Sequence, residues 1–591
     1  MCGIYGFFQQ SGKAVSEEVL PAMARSLIHR GPDGVGFHYG EHAGLGNVRL
    51  AIIDPEGGDQ PFYSKDKNVV VVQNGEIFNY KQLKQELIES GVEFATDSDT
   101  EVILELYLKY GIECLHMLNG MFAIAIYEID TNKLILARDR IGEKPLYYYH
   151  SDDTLYFASE IKAFQPYIKK EINYSAINAF LRLNYVPAPY TAYKNVYHLM
   201  PGNYMVITGD EVVETEWWDL STQKINYDIS KQDWKKEFLE LLDDSVKLRL
   251  VSDVPFGAFL SGGVDSSSVV GLMAEHVHQP VKTYTIGFPD PRFDESAHAQ
   301  EAATRFNTEH HCEIVGYDIV SDWSDFIRFC DQPHGDVSFM PMRKVSSLAA
   351  RDVKMVLTGD GADELFAGYE KYVPYLSRND IEDLSNEDFL NDYLPYLSMF
   401  SRDLCDELWR EEHKGNIEKD LVETEFKETL DRVSHFDAIN KGLYLDMKYL
   451  LSGNNLVKPD RMAMSESLET RAPFLDYRMM EFAFQTPGNY KLHEEDKKHL
   501  FKQAVTPLIG ENLAYRKKQM FTVPIGEWFK AELSKYCFDI LLSDESKIGQ
   551  LFNPELIKTM LDKHMKEEEN YTREIRALIS IELWLRHTFE L

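Results

Sequence analysis

The sequence predicts two domains of different class. A layered α+β domain is expected over residues 1–215, and an α/β domain with a doubly wound parallel sheet and helical additions over residues 230–591. Three observations carry this reading. The first third runs in strands of period-2 patterning with short turns and two or three helices between them. Beyond residue 250, apolar strands alternate with helices, the pattern of a parallel sheet whose ligands sit at the carboxyl ends of its strands. A polar segment, Ser221 to Asp233, separates the two after Trp217-Trp218-Asp219-Leu220.

In the first domain, Asn68 to Glu76 is expected to be a strand ending in an Asn74-Gly75 turn, and Met121 to Tyr127 another buried strand. Tyr80 to Ser90 has helical spacing. So does Thr100 to Tyr110, for which Asp99 is the expected N-cap. Cys2 is the residue to explain. Removal of the initiator methionine leaves it with a thiol and a free α-amine, and an amine of pKa about 8 serves as base for its own thiol. Arg49 is suited to hold a carboxylate bidentately. Asn74 and Gly75 offer a side-chain amide and a backbone N–H to an oxyanion. Glu76 and Asp99 suit an amino-acid ammonium.

In the second domain, Trp234 to Leu250 reads as an amphipathic helix. An apolar strand then runs into Ser261-Gly262-Gly263-Val264-Asp265-Ser266 and a helix start. This geometry aims backbone N–H groups at an anion. No Gly-Lys-Ser/Thr ends the loop, so it is not a Walker loop. Asp265 beside phosphates calls for a cation, and Mg²⁺ is expected. Thr283 to Phe288, Glu309 to Val315 and Lys354 to Gly359 read as further strands. The last ends in Thr358-Gly359-Asp360-Gly361-Ala362-Asp363-Glu364, whose three acids need a cation or ammonium among them. Residues 375 to 450 read as a packed, acidic helical lobe.

The net charge of −34 and pI near 4.9 argue against a nucleic-acid or anionic-membrane partner. The six cysteines show no CxxC pairing, which fits a reduced, cytoplasmic protein. No apolar run approaches a membrane span, and residues 1–7 do not read as a signal peptide. A homodimer is left open.

Two motif sets carry a resemblance to known families. Met1-Cys2-Gly3-Ile4, His29-Arg30-Gly31-Pro32-Asp33, Asn74 to Asn79, Ser98 to Glu101 and Arg138 to Tyr147 resemble the class II, N-terminal-nucleophile (Ntn) glutamine amidotransferase domain. That likeness implies an Ntn-hydrolase αββα sandwich, Cys2 as nucleophile and Asn74 with Gly75 as oxyanion hole. It implies glutamine binding by Arg49, Leu50, Ala51, Ile52, Ile53, Asn74, Gly75, Glu76 and Asp99. Arg30 and Arg138 to Tyr147 are expected to shape the pocket and the domain contact. The loop at Ser261 resembles that of the N-type ATP pyrophosphatases. Thr358 to Tyr369, Asp460 to Asp476 and Arg516 to Gln519 resemble asparagine synthetases. That likeness implies ATP binding by Phe259, Ser261, Gly262, Gly263, Val264, Asp265, Ser266, Ile286, Thr358 and Gly359. It places Mg²⁺ on Asp265 and Asp363, Asp360 near the acceptor amino acid, and Lys518 against charge developing at phosphorus. Implied substrates are glutamine, aspartate and ATP, or another carboxylate acceptor handled by the same machinery.

Overall fold

The structure, a computed structural model, describes residues 2–11, 15–151, 153–209, 211–517 and 523–589. In the first domain the strands are β1 Cys2–Gln9, β2 Gly34–Tyr39, β3 Ala43–Arg49, β4 Phe62–Tyr63, β5 Val69–Ile77, β6 Gly120–Glu128, β7 Lys133–Arg138, β8 Tyr147–His150, β9 Thr154–Ala158, β10 Val196–His198, β11 Asn203–Thr208 and β12 Glu211–Glu216. They form two antiparallel sheets, in the orders β10-β8-β9-β1-β3-β2 and β12-β11-β7-β6-β5-β4. Because strand side chains alternate, each strand faces two layers. From β1, Ile4 and Phe8 meet Val72, Ala123 and Leu136 between the sheets. Tyr5 and Phe7 point the other way, onto Leu20 and Met23 of α1 (Val19–Leu27) and Phe180 of α4 (Tyr174–Leu183). Val71, Ile124 and Ile126 of the second sheet pack on Leu83 of α2 (Tyr80–Glu89) and Val102 and Leu106 of α3 (Asp99–Tyr110). The result is an αββα sandwich. The central strands β1, β3 and β5 are buried on both faces, each buried aliphatic side chain stabilising by roughly 1.5–3 kcal/mol.

Two local expectations are corrected here. Asn74-Gly75 is not a turn. The ladder between β5 and β6 runs unbroken from Val69 opposite Glu128 to Ile77 opposite Gly120, and tertiary pairing overrides the turn signal. Gly75 has φ +149°, and a Cβ there would lie 2.0 Å from the Met121 carbonyl oxygen, so glycine serves close strand approach instead. The N-cap of α3 is Ser98, whose Oγ accepts from Thr100 N at 3.2 Å. Asp99 is the first helical residue.

The second domain holds a parallel sheet of β13 Phe256–Phe259, β14 Lys282–Gly287, β15 Glu309–Ile314, β16 Met355–Leu357 and β17 Glu469–Arg471, in the order β15-β14-β13-β16-β17. The order reverses at β13, so a crevice opens between the carboxyl ends of β13 and β16. Into it run the loops Ser261–Gly263 and Thr358–Gly361. The helix Lys231–Arg249 precedes the sheet, Val264–His276 follows β13, and the region from Val373 to Leu445 is helical.

Buried polar contacts join the halves. Arg30 donates to both carboxylate oxygens of Asp460 at 2.8 and 2.9 Å and to Glu160 at 2.9 Å, and Arg461 pairs with Glu160 at 2.9 Å. Removing one partner of such a buried pair costs about 3–5 kcal/mol.

Candidate active sites

Cys2 opens β1, opposite Arg49 of β3 in one sheet and beside Asn74 of β5 in the other. Its backbone nitrogen donates to Asn74 Oδ1 at 3.1 Å, and its carbonyl accepts from Arg30 Nε at 3.0 Å. Burial pushes the thiol above its ordinary value, while hydrogen bonds from the Leu50 backbone and Asn47 pull it back. The structure thus brings Cys2, Asn47, Asn74 and the buried segment Leu50–Ile53 together. Asn74 Nδ2 lies 3.3 Å from Ser159 Oγ. Arg49 is already engaged: it donates to the carbonyls of Pro55, Ile53 and Asp54 and to Asp59, whose side chain is 82% exposed. Arg49 therefore both shapes the loop and has a displaceable carboxylate in its grasp.

Glu76 and Asp99 are both buried in this pocket. Burial raises each carboxyl above its ordinary value, and the nearby Glu469 raises both further. Asp99 accepts from Ile77 N at 3.0 Å and Gln73 Nε2 at 3.2 Å. Among the described residues Glu76 Oε2 has no hydrogen-bond partner, and Arg471 lies 3.7 Å away. Glu469 and Arg471 belong to β17, so a strand of the second sheet walls the pocket of the first. Sequence reading assigned that stretch only a motif, because three residues, Glu-Thr-Arg, carry no apolar pattern.

The second site is a cavity of about 490 Å³ at the switch point. Phe259, Ser261, Asp265, Ser266, Ile286, Thr358, Gly359, Asp360 and Asp363 line it, as expected from their places at strand ends. Gly263 and Val264 line an adjoining cavity of about 250 Å³, walled by Lys497, Lys498, Lys502, Arg516 and Lys517. Gly262 has φ +69°, and a Cβ there would sit 2.3 Å from the His298 carbonyl carbon, so only glycine fits the loop. Arg516 braces it, donating to Gly262 O at 2.7 Å and Ser261 O at 3.3 Å. Burial raises the Asp360 carboxyl, opposed by Lys458 and by a hydrogen bond from Thr358 Oγ1 at 2.7 Å. Lys518 lies outside the described residues.

One element of the charge argument is corrected. The sequence leads to Mg²⁺ as the cation between Asp265 and Asp363 and assigns no side chain to that point. Lys498 is at hand: its Nζ lies 2.6 Å from Asp265 Oδ1 and 2.6 Å from Asp363 Oδ1. Burial lowers its proton affinity, but the two carboxylates outweigh that and hold it protonated. Even so, two hard oxygen donors from two strand ends converge on one cation-sized point. That set suits Mg²⁺, which takes one or two carboxylates and completes its shell with phosphate oxygens and water. Among the described residues no group of three or more His, Cys, Asp or Glu forms a metal cage.

Sequence reading also missed Lys458, Asn454, Asn455 and Tyr185 in the cavity wall. Asn454 and Asn455 sit on a π-helical stretch, Asp446–Asn455, a geometry frequent at functional sites but without a sequence signature. Adjoining the second site at Thr358 and Asp360 is a cleft of about 10 Å³, lined also by Glu143, Lys144, Leu456, Pro459, Asp460, Thr470 and Ala472. Its lining includes Asp360 of the second site and Asp460, whose partner Arg30 donates to the Cys2 carbonyl. Burial pushes the Glu143 carboxyl up to about 8, with Arg249 pulling it back.

An αββα sandwich with a cysteine at the head of its central strand, fused to a parallel sheet with a phosphate loop at its switch point, is the build of an amidotransferase coupled to a nucleotide-using domain. Comparison with known proteins agrees. A family model for the glutamine amidotransferase domain matches residues 1–218, and one for asparagine synthase matches residues 237–586. The chain is 31% identical to asparagine synthetase [glutamine-hydrolyzing] 1 of Bacillus subtilis, covering 99% of this chain and 96% of that one. It is 30% identical to asparagine synthetase [glutamine-hydrolyzing] 3 of the same organism, covering 94% of each. It is 27% identical to the amidase chry2 of Gibberella zeae, covering 90% of this chain and 91% of that one. The chain belongs to the glutamine-hydrolysing asparagine synthetase family. It is a glutamine-dependent, ATP-using enzyme of that type. No helix among the described residues is long and apolar enough to cross a membrane.

Proposed function

We infer that this chain is a glutamine-dependent asparagine synthetase, with glutaminase residues 1–215 and synthetase residues 230–591, acting with Mg²⁺ in a reducing, cytoplasmic setting. The observation that carries the two-site reading is the water-sized cleft lined by both Asp360 and Asp460, the latter paired with Arg30, which donates to the Cys2 carbonyl. With Met1 removed, the Cys2 α-amine takes the thiol proton and the sulfur attacks the glutamine amide carbon. Asn74 and Gly75 stabilise the oxyanion. Arg49 exchanges Asp59 for the glutamine carboxylate, and Glu76 with Asp99 receives its ammonium. Ammonia leaves, and water cleaves the thioester to glutamate. At the second site the aspartate β-carboxylate attacks the α-phosphorus of ATP and pyrophosphate departs. Ammonia then attacks the acyl adenylate, releasing asparagine and AMP. The Ser261–Ser266 loop and Lys498 hold the phosphates, and Lys518 is assigned to the charge developing at phosphorus. Asp265 and Asp363 would hold Mg²⁺, which supplies charge neutralisation to the leaving pyrophosphate.

The names of the Bacillus subtilis relatives support aspartate as acceptor. The amidase relative, at 27% identity over 90% of this chain, favours a second reading in which the same machinery amidates another carboxylate. The test is to measure pyrophosphate and glutamate release on wild type and on Asp363→Asn. Wild type is expected to release pyrophosphate with aspartate. The variant is expected to lose that release and keep glutamate production. Normal Mg²⁺-dependent pyrophosphate release by the variant removes Asp363 from the site.

A further inference from the structure

The segment Leu50–Ile53, which follows Arg49 and lies beside Cys2, is gripped from the second domain. Asp253 donates its backbone N–H to Ile52 O at 3.1 Å. Its side-chain Oδ2 accepts from Asp54 N at 2.8 Å. Lys354 supplies a second grip, with its Nζ 2.7 Å from Asp33 Oδ2. The same Asp33 oxygen accepts from Ala51 N at 2.9 Å, and Asp33 N donates to Arg49 O at 2.9 Å. Lys354 N donates to Pro255 O at 3.1 Å, which ties the two grips together. Asp253 stands just before β13, and Lys354 directly precedes β16. The two strands whose carboxyl ends form the second site therefore have their amino ends on the loop beside Cys2.

Asp54 passes the grip on. Its φ is +46°, a left-handed backbone that a non-glycine residue keeps only where its surroundings over-determine it. Its carbonyl accepts from Arg49 Nη2 at 2.7 Å, which seats that arginine. Its Oδ2 accepts from Asp97 N at 2.8 Å, two residues before Asp99. Asp54 thus touches both jaws of the pocket, Arg49 on one side and the turn that leads to Asp99 on the other. Its own N–H goes to Asp253, across 199 residues of chain. A carboxylate accepting from a backbone N–H makes a charge-assisted hydrogen bond, stronger than a neutral one.

We propose that Asp253 is a positioning residue for glutamine. It fixes Asp54 so that Arg49 and Asp99 stand at the spacing of glutamine's α-carboxylate and α-ammonium. This rests on the pocket assignment made under the proposed function, and it adds to that pocket a residue from the other half of the chain. Asp253 itself touches no substrate. Cys2 and Asn74 are held by the two sheets of the first domain, so the effect of Asp253 falls on glutamine binding and not on the attack by sulfur.

The test is glutamate release from glutamine by the full chain, with pyrophosphate release from ATP, aspartate and added ammonia measured beside it. Asp253→Ala is expected to raise the glutamine KM about threefold to tenfold. The kcat for glutamate release, the ATP KM and ammonia-dependent pyrophosphate release are expected to stay as in wild type. Unchanged ammonia-dependent release shows that the variant folds. Asp253→Asn keeps an oxygen to accept from Asp54 N and is expected to restore the glutamine KM nearly to that of wild type. An unchanged glutamine KM in Asp253→Ala, an equal rise in the ATP KM, or an Asp253→Asn variant as impaired as Asp253→Ala overturns the positioning role. Arg49→Ala separates that failure from failure of the pocket. A raised glutamine KM in Arg49→Ala beside an unchanged one in Asp253→Ala overturns the positioning role alone. An unchanged glutamine KM in both overturns the pocket assignment with it.

Discussion

The two sites treat buried acids in opposite ways. At the switch point Asp265 and Asp363 share Lys498 at 2.6 Å each, so their charge is balanced before any ligand arrives. Beside Cys2, Glu76 and Asp99 are buried with Arg471 no nearer than 3.7 Å to Glu76 and with Glu469 adding to the negative field. The first arrangement holds two loops from different strands in register, ready for a polyanion. The second leaves two buried carboxyls with raised proton affinity, which an incoming cation would lower. The difference accords with the proposed function, in which phosphates and their counter-ion enter one pocket and an ammonium group the other.

The sharpest way to separate the two halves is Cys2→Ala. It is expected to bring glutamine-dependent synthesis to background while synthesis from added ammonia continues, with both measured as asparagine formed. Equal loss of both breaks the comparison, because the sites then do not work independently. Next in size is Lys498→Met. Two carboxylates lose their shared cation, and the protein is expected to lose about 3–5 kcal/mol of stability and synthesis from either nitrogen source. Denaturant unfolding reads the first and pyrophosphate release the second, and glutamate release is expected to survive under native conditions. A variant with full stability shows that the pair at the switch point is not balanced by this lysine.

Smaller effects fall on the other pocket. Asp99→Asn is expected to raise the glutamine KM by a factor corresponding to about 2–3 kcal/mol of lost binding, with the ATP KM unchanged. The smallest effect is in pH. The Glu76 and Asp99 carboxyls are raised by burial above their unfolded values, so whatever stability they lend is present below the unfolded value and is lost as pH climbs through the raised folded value. A glutamine ammonium favours their ionised forms and reverses this. Glutamine is therefore expected to raise the Tm of Cys2→Ala more at pH 8 than at pH 6. A glutamine-induced shift that is larger at pH 6 contradicts the uncompensated pocket.

What the sequence made legible follows from how each site is built. Cys2, Asn74 to Glu76, and Ser261 to Ser266 are contiguous, and each stretch states its chemistry within a few residues. Lys498 reaches Asp265 across 233 residues of chain, and nothing around Lys497-Lys498 marks one lysine as buried and the other as a rim residue. Lys458 and Asn454 arrive from separate helices, so only the folded crevice assembles them. The Asn74-Gly75 signal misled because turn propensity is local, whereas pairing with β6 continues on either side of it.

The edge strand β17 has a bearing on how such chains are inherited. Its alternating side chains divide between the two sites: Glu469 and Arg471 lie against Glu76 in the pocket beside Cys2, and Thr470 lines the cleft next to Asp360. Recombination at the linker near residues 215–230 therefore hands a new glutaminase half a wall shaped for another partner. Halves from diverged relatives are expected to assemble badly unless this tripeptide travels with the first 215 residues. The heritable unit of the glutaminase is thus longer than its own stretch of the gene.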